Sequence, residues 1–187
     1  KQEIIKELGL IDDTRSKMQV ILDLKENGTA AYSNIHPSSF LRDNTTRSGF
    51  KIKNGLIFPL GGISNRVMVM SKESNYWMMY KGDQFGFHND NKVYDNDIEV
   101  LFIGDSFAEG WCVRSEENMA SVLSEKGINV VNYGKAGNGP LLNLSVLKEY
   151  AEPIKPKVVL WFYCTNNDLS DLNNEIKSPL LMKYLKD

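Results

Sequence analysis

Ser106 closes the run Ile98-Glu99-Val100-Leu101-Phe102-Ile103-Gly104-Asp105-Ser106, and Gly110 follows four residues later. An apolar, β-branched run that stops at Gly-Asp-Ser reads as a buried strand with a hydroxyl at its carboxyl end. Ligands of open α/β sheets bind just outside those carboxyl ends, so a serine there is placed to act as a nucleophile. The alternative is that Asp105 and Ser106 only cap the next turn, the ordinary work of both residue types after a strand. Two more apolar runs end in the same manner. Residues 128–133 lead into Gly134-Lys135-Ala136-Gly137-Asn138-Gly139, and residues 157–163 lead into Cys164-Thr165-Asn166-Asn167-Asp168. In a parallel sheet these three loops share one edge, so Ser106, Gly137 and Asn167 are expected to converge. Such a trio suits acyl transfer: a serine attacks an ester carbonyl while a main-chain N–H and a carboxamide stabilise the oxyanion. Glycine at 137 brings the main chain close to a ligand with no Cβ in the way.

The elements that must position these residues are α/β in pattern from residue 97 onward. A helix is expected from Ser115, with Met119, Val122 and Leu123 facing inward and Gly127 stopping it. A second is expected from Pro140, with a stripe of Leu141, Leu144, Leu147 and Ala151, ended by Pro153 and Pro156. Ser178-Pro179 opens a last short helix. Strands separated by helices of this length predict right-handed βαβ units and a parallel sheet. The front section, residues 1–96, reads as antiparallel and β-rich. Residues 2–9 read as a short helix ending at Gly9. Residues 18–24 and 29–32 flank Asn27-Gly28, and residues 50–53 and 56–58 flank Asn54-Gly55; Asn-Gly between strand-like runs signals a hairpin. A third pair joins residues 66–70 to 76–80. The Met and aromatic residues of this section read as packing.

The 187 residues, 42% hydrophobic and 25% charged, suit one globular domain with a substantial extension. A net charge of -2 and the lack of any Lys/Arg cluster argue against a nucleic-acid partner. No apolar run approaches the roughly 20 residues of a membrane helix. Cys112 and Cys164 have neither metal-ligand spacing nor a disulfide framework.

Gly104-Asp105-Ser106 with Gly110, the stretch Asn132-Tyr133-Gly134-Lys135-Ala136-Gly137, and Asn167-Asp168 after a strand resemble the first three blocks of the SGNH/GDSL hydrolase family, in order and in separation. The resemblance covers residues 97–187. Pro59-Leu60-Gly61-Gly62-Ile63-Ser64-Asn65, Gly86-Phe87 and Gly137-Asn138-Gly139-Pro140-Leu141-Leu142 are similar to a bacterial subgroup with an added β-rich section. The resemblance implies a flavodoxin-like three-layer parallel sheet, incomplete at its C-terminal side, and a serine esterase or O-acyltransferase acting on acylated, especially acetylated, carbohydrate. It implies Ser106 as nucleophile and as oxyanion donor through its own N–H, with Gly137 and Asn167 as further donors, and neither cofactor nor metal. It also implies a periplasmic or membrane-anchored extracytoplasmic setting, the anchor lying outside this stretch. Thr165 stands where the family's Gly-x-Asn-Asp block has glycine, which leaves Asn166 as a rival to Asn167, although Asp168 favours Asn167. Asp105 reads as ordering its loop, and Gly134 as a turn glycine.

A serine needs a base near neutral pH. The family's base is a histidine in a late Asp-x-x-His block, and the chain's two histidines, His36 and His88, both precede Ser106. His88 reads first as a solvated loop histidine and second as a replacement base; His36 ranks below it. Three strands also make a thin sheet where about five or six are usual. The remaining strands and the Asp/His pair are therefore expected beyond Asp187 or on another chain. Two other readings stand beside the esterase. One is a glycan-binding or scaffolding domain that keeps the pocket and stacks sugars on Trp77, Trp111 and Tyr133. The other takes Gly134, Gly137 and Gly139 as a dinucleotide loop, for which the Gly-x-Gly-x-x-Gly spacing is missing.

Overall fold

The computed structural model describes residues 13–73 and 75–186, so the expected helix at residues 2–9 lies outside the described residues. The first described element corrects the sequence reading. Residues 18–24, expected as a strand, lie in helix α1 (Lys17–Glu26). Ser16 and Gln19 form a reciprocal capping box, Asn27 ends the helix, and Gly28 leaves it at φ +78°. Val20, Ile21 and Leu24 are its inward face, a helical spacing rather than an alternating one. Asn27-Gly28 is thus a helix stop and not a hairpin turn.

Strand β1 (Ala31–Ser33) then runs parallel to β4 (Val67–Glu73), which pairs antiparallel with β5 (Tyr76–Lys81). The front section is therefore mixed and not wholly antiparallel. Between β1 and β4 lie a short helix α2 (Asn44–Arg47) and the hairpin of β2 (Phe50–Ile52) and β3 (Gly55–Ile57). Ile52 pairs with Gly55, so the hairpin expected at Asn54-Gly55 turns on Lys53-Asn54, one residue earlier.

The second sheet places β6 (Val100–Gly104) between β7 (Val130–Asn132) and β8 (Val158–Phe162), all parallel. From β6 the chain goes to one neighbour and then crosses to the other. The carboxyl ends of β6 and β8 therefore flank the point where the winding reverses, where α/β sheets open a crevice. β6 and β7 are buried as the sequence predicts. β8 is not: Val158, Val159, Leu160 and Trp161 are each more than 40% exposed. It is the open edge of this sheet among the described residues.

Helix α3 (Ser106–Glu109) follows β6 at once. A 3-10 turn (Ser115–Glu117) then leads to α4 (Met119–Ser124), capped by Asn118, whose side chain accepts from Ser121 N. The cap sits three residues later than expected, and Leu123 packs inward as expected. Ala120 is buried while Met119 and Val122 face solvent. Helix α5 (Pro140–Val146) starts on Pro140 as predicted and continues through a π turn (Leu147–Ala151). That wider turn carries the helix past Pro153, which has no N–H to give, and it stops at Lys155 in the left-handed region. Helix α6 (Asp168–Glu175), which the sequence reading missed, packs on α5. After Ser178-Pro179 the chain makes a 3-10 turn (Leu181–Leu185) that buries Leu181.

Overall the architecture is mixed α/β. Its main core crosses the boundary at residues 96 and 97. Leu41, Phe58, Leu60 and Phe87 of the front section pack with Leu101, Ile103, Tyr133 and Leu142.

Candidate functional site

Ser106 is the first residue of α3. Asp105 caps this single turn by accepting from Phe107 N, and Gly110 ends it in the left-handed region. The Gly110 and Trp111 N–H groups both donate to the Ser106 carbonyl. Asp105 orders the loop, as expected. Ser106 is half-buried, and its hydroxyl has no hydrogen-bond partner among the described residues.

The loop after β7 lies directly on α3. Gly134 is not the turn glycine the sequence suggested: its φ is not positive. A Cβ there would stand 2.5 Å from Ala108 Cβ and 2.6 Å from Glu109 N. Its lack of a side chain lets the two loops touch. From there the main-chain N–H groups are consumed one after another. Gly134 N donates to Asn132 Oδ1, Lys135 N to Gly104 O, and Ala136 N to Glu109 Oε2. Asn138 N donates to Lys135 O, and Gly139 N and Leu141 N to the two oxygens of Glu175. Pro140 has none to give. Gly137, at φ +78°, keeps the one main-chain N–H of residues 134–141 without an acceptor among the described residues.

Asn167 closes the loop after β8. Its Nδ2 donates to Asp171 Oδ2 at 2.8 Å, which uses one of two amide protons and fixes the carboxamide. Asp168 accepts from Cys164 N at 3.0 Å, and burial, with Asp105 nearby, pushes its carboxyl up. Gly137 and Asn167 line one cavity of about 460 Å³ together with Ser38, Arg42, Arg47 and Asp171. Asn166 is exposed and does not line it. Ser106 is outside that lining as well. It stands at the next strand end, joined to the Gly137 loop through the Gly104–Lys135 hydrogen bond and the Gly134–Ala108 contact. The structure thus brings Gly137 and Asn167 to one cavity and leaves Ser106 outside its lining, on the loop that packs against Gly134.

Three acids of α6 hold these loops: Asp168 the turn after β8, Asp171 the Asn167 amide, and Glu175 the Gly139–Leu141 segment. Burial pushes Glu175 up to about 7, against the pull of its N–H donors. Because this lies above the ordinary 4.5, the folded chain holds the proton more tightly than the unfolded one. The resulting stability is fully present below pH 4.5 and is lost as pH rises through about 7. Denaturation of Glu175→Gln is expected to show a flatter dependence of stability on pH across that window. An unchanged slope would mean that Glu175 is not the titrating group.

A second set of residues missed from sequence lies behind the loops. Lys135 and Glu109, both fully buried, form an ion pair. Lys135 Nζ also donates to Asn34 Oδ1 at 2.9 Å and to Tyr80 Oη at 3.0 Å, and Asn34 Nδ2 donates to Glu109 Oε1. Burial opposes both charges. Their mutual attraction and these hydrogen bonds outweigh it, holding Lys135 above and Glu109 below their ordinary ranges. The network ties the front section to the Gly137 loop. Nothing in the sequence around Lys135 and Glu109 sets them apart from surface charges.

His88 is not a solvated loop histidine. It is buried, stacked on Tyr80 with ring centroids 4.2 Å apart, and bonded to Glu109 O and Ser115 Oγ rather than to Ser106. His36 packs edge-on against Trp111 at 4.8 Å, half-buried. Of the aromatics considered as sugar platforms, Tyr133 is fully buried in the main core, and Trp77 packs on α1 with its Nε1 on Arg15 O. Both cysteines are free, and no helix among the described residues is long and apolar enough to cross a membrane.

Among known proteins, no family model, curated sequence or solved structure matches this chain.

Proposed function

We propose that this chain carries the oxyanion-binding half of a serine esterase or O-acyltransferase of the SGNH/GDSL type, acting through an acyl-enzyme on Ser106. The observation that supports it best is the unspent Gly137 N–H. In a loop whose other main-chain N–H groups are all bonded, that group belongs to a residue lining a cavity shared with the oriented Asn167 amide. Donors fixed before the reaction stabilise a developing oxyanion without reorganising, and the free Ser106 hydroxyl at the adjacent strand end supplies the nucleophile. The β7-β6-β8 order fits the start of a flavodoxin-like sheet. The motif resemblance favours an acetylated carbohydrate as substrate and an extracytoplasmic setting.

The base is assigned to a segment outside residues 13–186 or to a second chain. The exposed apolar edge of β8 supports this reading, because a parallel strand paired on one side only, with both faces open, accepts a neighbour on the other. Full-length protein is expected to release acetate from an acetylated carbohydrate, and Ser106→Ala to reduce that turnover to background while the fold is kept. Full activity in Ser106→Ala would refute the reading. A full-length protein that binds acetylated glycan and never turns it over would point to the glycan-binding alternative.

A further inference from the structure

We propose that Ser115 and His88 form a second nucleophile–base pair, separate from Ser106, serving a hydrolytic site for small carboxylic esters. The geometry of His88 carries the argument. Its Nδ1 stands 3.0 Å from the Glu109 main-chain carbonyl, which only accepts, so Nδ1 bears the ring proton. Nε2 is then a bare acceptor, and the Ser115 hydroxyl, 2.8 Å away, must donate to it. A serine donating to an imidazole whose far nitrogen is fixed by a third group is the arrangement that activates a hydroxyl.

The surroundings fit this use. Ser115 is freed from capping α4, because Asn118 performs that task with Oδ1 on Ser121 N. The Asn118 amide nitrogen has no acceptor among the described residues, and it lines the same cavity of about 440 Å³ as Ser115 and His88. That puts an N–H donor in the same cavity as the hydroxyl. The imidazole is held rigidly by the Tyr80 stack and lies against the buried Lys135–Glu109 network. Burial pushes its pKa down, which keeps it neutral and accepting near pH 7.

The chemistry closes with water as the co-reactant. Ser115 Oγ bonds to the ester carbon as its proton passes to His88 Nε2. The carbon–alkoxide bond then breaks, and the leaving oxygen takes that proton. Water, deprotonated by the same nitrogen, releases the carboxylic acid and restores the serine.

The test uses an alkyl fluorophosphonate on the full-length protein, with adducts located by peptide mass mapping. An adduct on Ser115 is expected in both the wild type and Ser106→Ala, and its loss in Ser106→Ala/Ser115→Ala. His88→Gln is expected to slow that adduct by about 10²–10⁴-fold. If His88→Gln does not fold, Ser115→Cys replaces it, with alkylation of the introduced thiol expected at least about tenfold faster than at Cys112 of the same protein. An unlabelled Ser115 in Ser106→Ala overturns the proposal. So does a labelling rate that His88→Gln leaves unchanged, or an introduced thiol in Ser115→Cys that reacts no faster than Cys112. Labelling at Ser115 without labelling at Ser106 would sink the Ser106 reading and leave this one standing, so the two fail separately.

Discussion

Lys135→Ala is expected to lower unfolding free energy by about 3–5 kcal/mol, the usual cost of leaving one member of a buried ion pair unpaired. The Glu109 carboxylate would remain fully buried with its countercharge gone. The Asn34 carbonyl oxygen and the Tyr80 hydroxyl would each lose a donor at the same time. Because the network spans residues 34, 80, 109 and 135, its failure removes one tie between the front section and the Gly137 loop as well as costing stability. Restoring charge balance should recover most of the loss. Glu109→Gln combined with Lys135→Met keeps an acceptor for Ala136 N–H, fills the lysine's volume with an apolar chain, and leaves no isolated charge. Chemical denaturation of the single and double variants checks this. A single-variant loss below about 1 kcal/mol, the size of a solvent-screened surface pair, would mean that the pair is not a buried one.

Asn167→Ala is expected to reduce kcat for deacetylation of an acetylated carbohydrate by about 10²–10³-fold, the cost of removing one oxyanion donor, with KM little changed. The fold should tolerate it. Asn167 occupies the N-cap position of α6, yet its side chain makes no capping bond, so alanine removes only the contact to Asp171. Asn166→Ala is the control that separates the two registers of the third block. Asn166 is exposed and off the cavity, and its variant should keep wild-type kcat. If Asn166→Ala is the damaging substitution and Asn167→Ala is silent, the donor has been assigned to the wrong residue.

The parallel sheet was legible because its cause is local: three β-branched apolar runs, each stopped by glycine or a polar loop, became β6, β7 and β8. Residues 18–24 misled because an apolar run of that length fits a strand or a helix, and the weight given to Asn27-Gly28 hid the capping box at Ser16 and Gln19. β8 reads as buried in sequence, but burial depends on what lies beside a strand, and no strand covers its outer side among the described residues. The proposed site residues Ser106, Gly137 and Asn167 stand out in the sequence by type and by position at strand ends. The residues that hold them do not. Glu109, Lys135, Asp171 and Glu175 look like ordinary surface charges in a sequence, and only the close approach of α3, α6 and the loop after β7 makes Glu109 and Glu175 buried acceptors of main-chain N–H groups, Lys135 the partner of Glu109, and Asp171 the acceptor of the Asn167 amide. His88 was misjudged for the same reason. Its polar loop neighbours suggested solvent, while Tyr80 and Glu109, 8 and 21 positions away in the sequence, enclose it.

Whether one carbonyl can be reached by all three proposed groups is best tested by a crystal structure of the full-length protein after reaction with a fluorophosphonate. The account predicts phosphorus bonded to Ser106 Oγ and the phosphoryl oxygen within hydrogen-bond distance of Gly137 N and Asn167 Nδ2. A phosphonyl group on Ser106 with its oxygen turned away from both donors, or a Ser106 that never reacts, would contradict it.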